Sequence, residues 1–246
     1  AKVTVLSGGA INTPAILLRS EVDPSGRTGK RTFLHPAVGG TGVHAERTEP
    51  FIGSPQYVYS DEHVDRGPEK MGFLLEGAPM FPMTTGSFPP ILGAERQAQM
   101  SLLPHSSLTG ALLHDGFDID DPDEGATVTL KDNGHPQVAY KWTDRLREAL
   151  RAATKATMEV QLAGGATQAF SPHSVYATRR EQLDRVLEGA SFEPCGVTVF
   201  VAHVMGGCAM GKDPATSVVD SRTLRHHALD NCFVVDGSIY PTSLTV

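Results

Sequence analysis

His203-Val204-Met205-Gly206-Gly207-Cys208-Ala209-Met210-Gly211 and, further on, Cys232-Phe233-Val234-Val235-Asp236-Gly237-Ser238-Ile239-Tyr240-Pro241-Thr242 decide how this chain is read. The first stretch places a histidine ahead of a glycine-rich turn. The second is an apolar strand that delivers Asp236, Gly237 and Ser238 to a strand end. In α/β proteins, polar residues just past a buried strand are where ligands bind. Glycine has no Cβ, so the Gly206-Gly207 turn lets backbone amides approach a flat ligand closely. Taken alone, His203 reads as a hydrogen-bonded structural histidine. The surrounding pattern reverses that reading.

The opposite end of the chain has a matching organisation. Lys2-Val3-Thr4-Val5-Leu6 is β-branched and apolar, which suits a strand buried on both faces. Ser7-Gly8-Gly9-Ala10 forms a turn, and Thr13-Pro14 caps a helix with proline near its first position. By itself, Gly8-Gly9 is a tight turn and no more.

Between the two ends the pattern changes. Residues 21–50 are loop-rich, and His35 precedes Pro36, which biases it toward extended geometry and a structural or interface role. Gln56–Ser60 and Gly72–Gly77 read as strands among proline- and methionine-rich connectors. Met80, Phe81, Met83, Phe88, Ile91 and Leu92 form an apolar stretch suited either to a pocket or lid for an apolar ligand or to ordinary core. Gly110–Asp115 and Ala126–Leu130 are further strands, and the acidic run from Asp115 to Glu124 reads as a solvated loop. Asp132-Asn133-Gly134 is a hairpin turn returning through Val138–Trp142. Thr143-Asp144 caps a helix to about Ala163 with Leu146, Leu150, Ala153, Thr157 and Val160 as its buried stripe. A second helix over Thr178–Leu187 and a short strand, Thr198–Val201, lead into His203.

Composition narrows the function. The 246 residues are 40% hydrophobic and 20% charged, as in globular proteins. A formal net charge of -7 without a basic cluster argues against nucleic acid. Cys195, Cys208 and Cys232 have neither zinc-ribbon nor disulfide-framework spacing, and no metal site is indicated. No apolar run approaches the roughly 20 residues needed to span a bilayer.

His203, Gly206, Gly207, Cys208, Met210 and Gly211 fill a pattern that resembles the C-terminal signature of the glucose–methanol–choline (GMC) flavoprotein oxidoreductases, with Gly207 where many relatives have threonine. Val234–Thr242 resembles that family's V-V-D-[GA]-S-x-x-P-T segment, and Leu6–Ser20 resembles its second signature, A-G-A-x-x-[ST]-P-x-L-L-x-x-S. Gly29–Pro36 looks like a divergent G-x-N-L-x-x-H-P stretch, and Phe73–Met80 resembles a strand of long-chain alcohol oxidase-like members. The resemblance implies an FAD-dependent oxidation of a CH–OH donor, with hydride passing to the flavin and His203 as base. It implies FAD contacts at Gly8, Gly9, Ala10, Pro14, Gly206, Asp236, Gly237 and Thr242, with Asp236 and Gly237 near the ribityl or pyrophosphate region. The implied substrate is a small-molecule alcohol, for which the Met80–Leu92 stretch would offer an apolar pocket or lid.

The expected fold is mixed α+β and α/β. Residues 1–20 and 203–246 form part of an FAD-binding, Rossmann-like layer, and residues 21–202 form a substrate domain with an antiparallel sheet and flanking helices. The abrupt start on a strand and the end on Ser243–Val246 lead us to expect a piece of a longer chain. A dinucleotide-binding G-x-G-x-x-G would then lie upstream, and a second catalytic residue just after Val246. Two other outcomes stay open: a lyase or decarboxylase on the same fold, or a catalytically inert truncated chain.

Overall fold

The structure, a computed structural model, describes residues 1–54, 56–87, 92–116, 121, 124–171 and 176–244. It divides into two compact units, Ala1–Pro36 with His114–Lys141 and Val201–Val246, and Ala37–Leu113 with Trp142–Phe200. Residues 21–36 and 114–141, which the sequence reading grouped with the middle of the chain, therefore pack with the two ends.

In the first unit, strand Thr4–Leu6 runs parallel to Cys232–Val234, with Thr4 opposite Cys232 and Leu6 opposite Val234. This strand is not buried on both faces as expected: Val3 and Val5 are 60% and 57% exposed, Thr4 is exposed, and Leu6 is half-buried. Leu6, Leu17, Cys208, Val218, Val219, Val234 and Ile239 pack together as the local core. The helix covers Gly9–Arg19, so Pro14 lies inside it and not at its first position. A proline there has no N–H to donate back along the helix. At the helix start Thr13 Oγ1 accepts the Gly8 N–H at 2.8 Å. An antiparallel sheet in the order Met205–Gly206, Thr32–Phe33, Ala126–Leu130, Pro136–Tyr140 completes the unit. The last two strands are the predicted hairpin, closed at Lys131–Gly134 by backbone hydrogen bonds.

The second unit is built on a seven-stranded sheet. Its main path runs Tyr176–Ala177, Gln168–Phe170, Pro36–Val43, Ser106–Leu113, Phe73–Ala78, Tyr59–Ser60. Helix Asp144–Ala163 packs against it, and Thr143 caps that helix by accepting the Leu146 N–H. Gly40 is what lets the helix approach, since a Cβ there would stand 2.7 Å from Thr157 Oγ1. The buried stripe runs through Leu146, Leu150, Ala153, Thr157 and Gln161, whereas Val160 is 45% exposed. Gln161 takes the inward place because its amide can bond Gly40 O and Thr109 Oγ1. The second predicted helix is a 3-10 turn at Arg180–Gln182 followed by Leu183–Glu188. In the apolar stretch Met80 is buried, while Phe81, Met83 and Leu92 are exposed. Phe88 and Ile91 lie outside the described residues.

Leu150 is fully buried, so Leu150→Ala should cost about 2–5 kcal/mol. Val160→Ala, on the same helix, should stay within about 0.5 kcal/mol. Denaturant titration of both variants checks the pattern, and equal losses would contradict this packing.

Candidate active site

The site begins with a short ladder. Met205 pairs with Phe33 and Gly206 with Thr32, antiparallel. Followed two residues outward, that register puts His203 opposite His35. The rings meet: Nδ1 of His35 lies 3.2 Å from Nδ1 of His203, with ring centroids 5.3 Å apart. His114 stacks on the other side of His35 at 6.1 Å and 26°.

The ladder needs its two glycines. Gly206 and Gly207 have φ of +78° and +95°, a region costly for residues with a Cβ. A Cβ on Gly206 would overlap the Arg31 carbonyl, and one on Gly207 would stand 2.9 Å from Thr32 Oγ1 and 3.1 Å from Ala10 O and Pro14 Cγ. The close approach these glycines permit in this structure is to the chain's own backbone and side-chain atoms. Cys208 follows as core: its N–H donates to Ser238 O, and burial pushes its thiol up to about 12, so it stays protonated.

His35 is buried and takes φ +51°, not the extended geometry its proline neighbour suggests. Asp115 supplies the reason. Its carboxylate accepts the His35 N–H at 3.0 Å, the Leu34 N–H at 2.9 Å and the Tyr140 hydroxyl at 3.0 Å. Asp115 is 2% exposed, which corrects its reading as part of a solvated loop. Asp118, Asp120 and Asp123 of that run lie outside the described residues. Burial pushes the Asp115 carboxyl up to about 6, opposed by its three donors and reinforced by Glu124. Burial, and then charge on His203 and His114, lowers His35 to about 4, and burial lowers His114 to about 4.

The remaining sequence candidates gather at the start of helix Gly9–Arg19. Asp236 Oδ2 accepts the Gly9 N–H at 2.9 Å and the Thr13 hydroxyl at 2.5 Å, and Oδ1 accepts the Ser238 N–H at 2.8 Å. Burial pushes this carboxyl up, but those hydrogen bonds outweigh it and leave it below the usual range. Its side chain thus ties a strand end to a helix start. Gly237 begins a 3-10 turn, and the Thr242 hydroxyl donates to Gly116 O, beside Asp115. Gly8 and Ala10 flank Gly9, whose φ is +80° and whose absent Cβ would stand in open space. Pro14 packs beside Gly207. Sequence reasoning missed Thr13, His114, Asp115 and Tyr140 as parts of this network. A pairing of the His35 and His203 segments would have found His35, but Asp115 carries no motif.

Residues 122–246, half of the chain, match the sequence profile of the GMC oxidoreductase family. The chain belongs to that family. It is 26% identical over 264 residues to the long-chain-alcohol oxidase FAO4B of Arabidopsis thaliana, covering 100% of this chain and 33% of that protein. It is 27% identical over 249 residues to 6'''-hydroxyparomomycin C oxidase of Streptomyces lividus, covering 98% and 41%. The chain spans about a third of the length of the long-chain-alcohol oxidases it matches. Among solved structures, pyridoxine 4-oxidase from Mesorbium loti superposes with a TM-score of 0.61 at 21% identity, covering 98% of this chain and 47% of that one. Formate oxidase of Aspergillus oryzae RIB40, a protein with an FAD modification, gives 0.60 at 15%, covering 97% and 50%. These likenesses show a shared GMC fold with α/β and antiparallel parts.

A group whose folded pKa lies below its unfolded value contributes stability at high pH and loses it as pH falls through the folded value. His35 and His114 do this between 6.5 and about 4, and Asp236, also lowered, adds in the same direction further down. Asp115, raised from 3.8 to about 6, acts the opposite way and gains stability on acidification. Two histidines outweigh one carboxyl, so the unfolding temperature should fall from pH 6.5 to pH 4. Calorimetry across that range checks it; a flat or rising profile contradicts the buried cluster.

Proposed function

We propose that this chain carries the catalytic base of an FAD-dependent oxidoreductase that converts an alcohol to an aldehyde or ketone. The carrying observation is His203, held by its Nδ1 to His35 while its Nε2 makes no hydrogen bond among the described residues. Family membership and the oxidase names of the relatives support the reaction class.

The residues present fit FAD through backbone more than through side chains. Gly9 offers an uncovered approach, since a Cβ there would stand in open space, while the Gly8 and Gly9 N–H groups are already taken by Thr13 Oγ1 and Asp236 Oδ2. Gly8, Gly9 and Ala10 would hold the cofactor there, and the Asp236-Gly237 backbone and the Gly206-Gly207 turn would border it. The Asp236, Thr13 and Thr242 side chains support this cradle without reaching beyond it, since their bonds close within the chain. Bound FAD supplies the two-electron oxidant. His203 Nε2 accepts the hydroxyl proton as the alcohol carbon gives up its hydrogen with the bonding electron pair. The substrate is a small-molecule alcohol of apolar character, a reading supported by the long-chain-alcohol oxidases among the relatives.

His203→Ala in the FAD-loaded protein should slow anaerobic bleaching of the flavin by a long-chain alcohol about 10²–10⁴-fold, the usual worth of a general base. Unchanged bleaching would remove His203 from that role. No bleaching by any alcohol in the unaltered protein would favour a lyase or decarboxylase instead.

A further inference from the structure

A hydrogen bond between two Nδ1 atoms contains one proton, and the 3.2 Å separation of His35 and His203 leaves two ways to place it. If His35 donates, a neutral His203 carries its own proton on Nε2 and has no lone pair there for an alcohol. If His203 donates, its Nε2 is bare and can accept. The second arrangement also survives the reaction. Once Nε2 has gained a proton, both nitrogens of that imidazolium are donors, and Nδ1 already has its acceptor.

We propose that His35 accepts the Nδ1 proton of His203 and so fixes His203 in the tautomer with a bare Nε2, and that Asp115, together with Tyr140, positions His35 for this task. The inference rests on the reading of His203 as the base. His35 is the positioning residue in contact with it, and Asp115 acts one step further away.

The geometry supports the contact and the hold on His35; in this tautomer the proton of His35 itself lies on Nε2, a buried atom with no hydrogen-bond partner among the described residues. The antiparallel register of Met205–Gly206 with Thr32–Phe33 brings the two rings to the same level. The +51° φ of His35 then aims its ring, and a non-glycine residue stays in that region only when its surroundings hold it. Asp115 holds it through consecutive backbone N–H groups, those of Leu34 and His35, and Tyr140 occupies the carboxylate further with its hydroxyl. Thr242 fastens the next residue, Gly116, by donating to its carbonyl. An acceptor histidine must remain neutral beside a base that becomes charged. Burial, with the charges of His203 and His114 adding to it, lowers His35 to about 4, so it does not compete for the proton.

The test uses the FAD-loaded protein labelled with ¹⁵N-histidine. Long-range ¹H–¹⁵N correlation, with the His203 signals assigned by their loss in His203→Ala, reads the tautomer directly. For the neutral ring of His203, the proposal requires a bare Nε2 and a protonated Nδ1. In His35→Phe that preference should disappear, and flavin reduction should slow about 10–100-fold, the usual effect of losing a residue that orients a functional histidine. His35→Asn, whose amide oxygen can accept, should recover at least half of that loss on a logarithmic scale. Tyr140→Phe keeps the packing and should shift the tautomer ratio in the same direction to a smaller extent.

A protonated Nε2 in the unaltered protein overturns the proposal, as does an unchanged tautomer in a folded His35→Phe. If His35→Phe does not fold, an unchanged tautomer and rate in Tyr140→Phe overturns it too. The two readings fail separately. Loss of the base reading shows as normal reduction in His203→Ala. Loss of this one alone shows as a slow His203→Ala beside an unchanged His35→Phe.

Discussion

The site depends on a two-residue ladder between segments that are far apart in sequence, Thr32–Phe33 and Met205–Gly206. Neither strand is long enough to persist unaided, since hairpins and short pairs are marginal in water. The ladder exists because Gly206 and Gly207 take positive φ and bring the chain against Arg31, Thr32, Ala10 and Pro14 without a clash. The meeting of His203 and His35 follows from its register. A shift by one residue would turn side chains to the other face and separate His203 from His35.

A second fastening acts at right angles to that logic, through side chains. Thr13 Oγ1 accepts from Gly8 and donates to Asp236, and Asp236 accepts from Gly9 and Ser238. Charged acceptors make the stronger hydrogen bonds, worth about 1.5–3 kcal/mol each. The helix start, the strand end at Val234 and the 3-10 turn at Gly237–Ile239 are thereby joined at one carboxylate. Motifs at the two ends of the chain are halves of one network, and their residue types are what that network requires.

That explains what was legible in the sequence. Helix Asp144–Ala163 could be read from its Thr143 cap and its 3.6-residue apolar period, and the Ala126–Tyr140 hairpin from Asn133-Gly134, because local chemistry decides both. His203, Asp236 and the glycines stood out through family resemblance. What stayed hidden was set by distant partners. Pro14 sits inside a helix because Thr13 and Asp236 hold the turn before it. His35 leaves the extended region because a carboxylate eighty residues away in the chain binds its N–H. Asp115 looked like the start of a solvated acidic run, and only the fold shows three donors converging on it. The division into units also could not be read, since residues 114–141 return to the first unit after the chain has left it.

The neutral partner beside His203 has a physical rationale. A carboxylate facing a histidine's Nδ1 fixes its tautomer, but it also favours the imidazolium, because an opposite charge nearby stabilises the charged form. A neutral imidazole fixes the same tautomer without that bias, provided it is itself hard to protonate. Burial makes His35 so, and stacking with His114, itself neutral near pH 7, adds no charge. Asp115 is spent on two backbone N–H groups and a phenol, so its charge is directed at the peptide that carries His35 and not at the ring of His203. The unit thus places a negative charge where it would orient the proposed base, and keeps it from direct contact with His203.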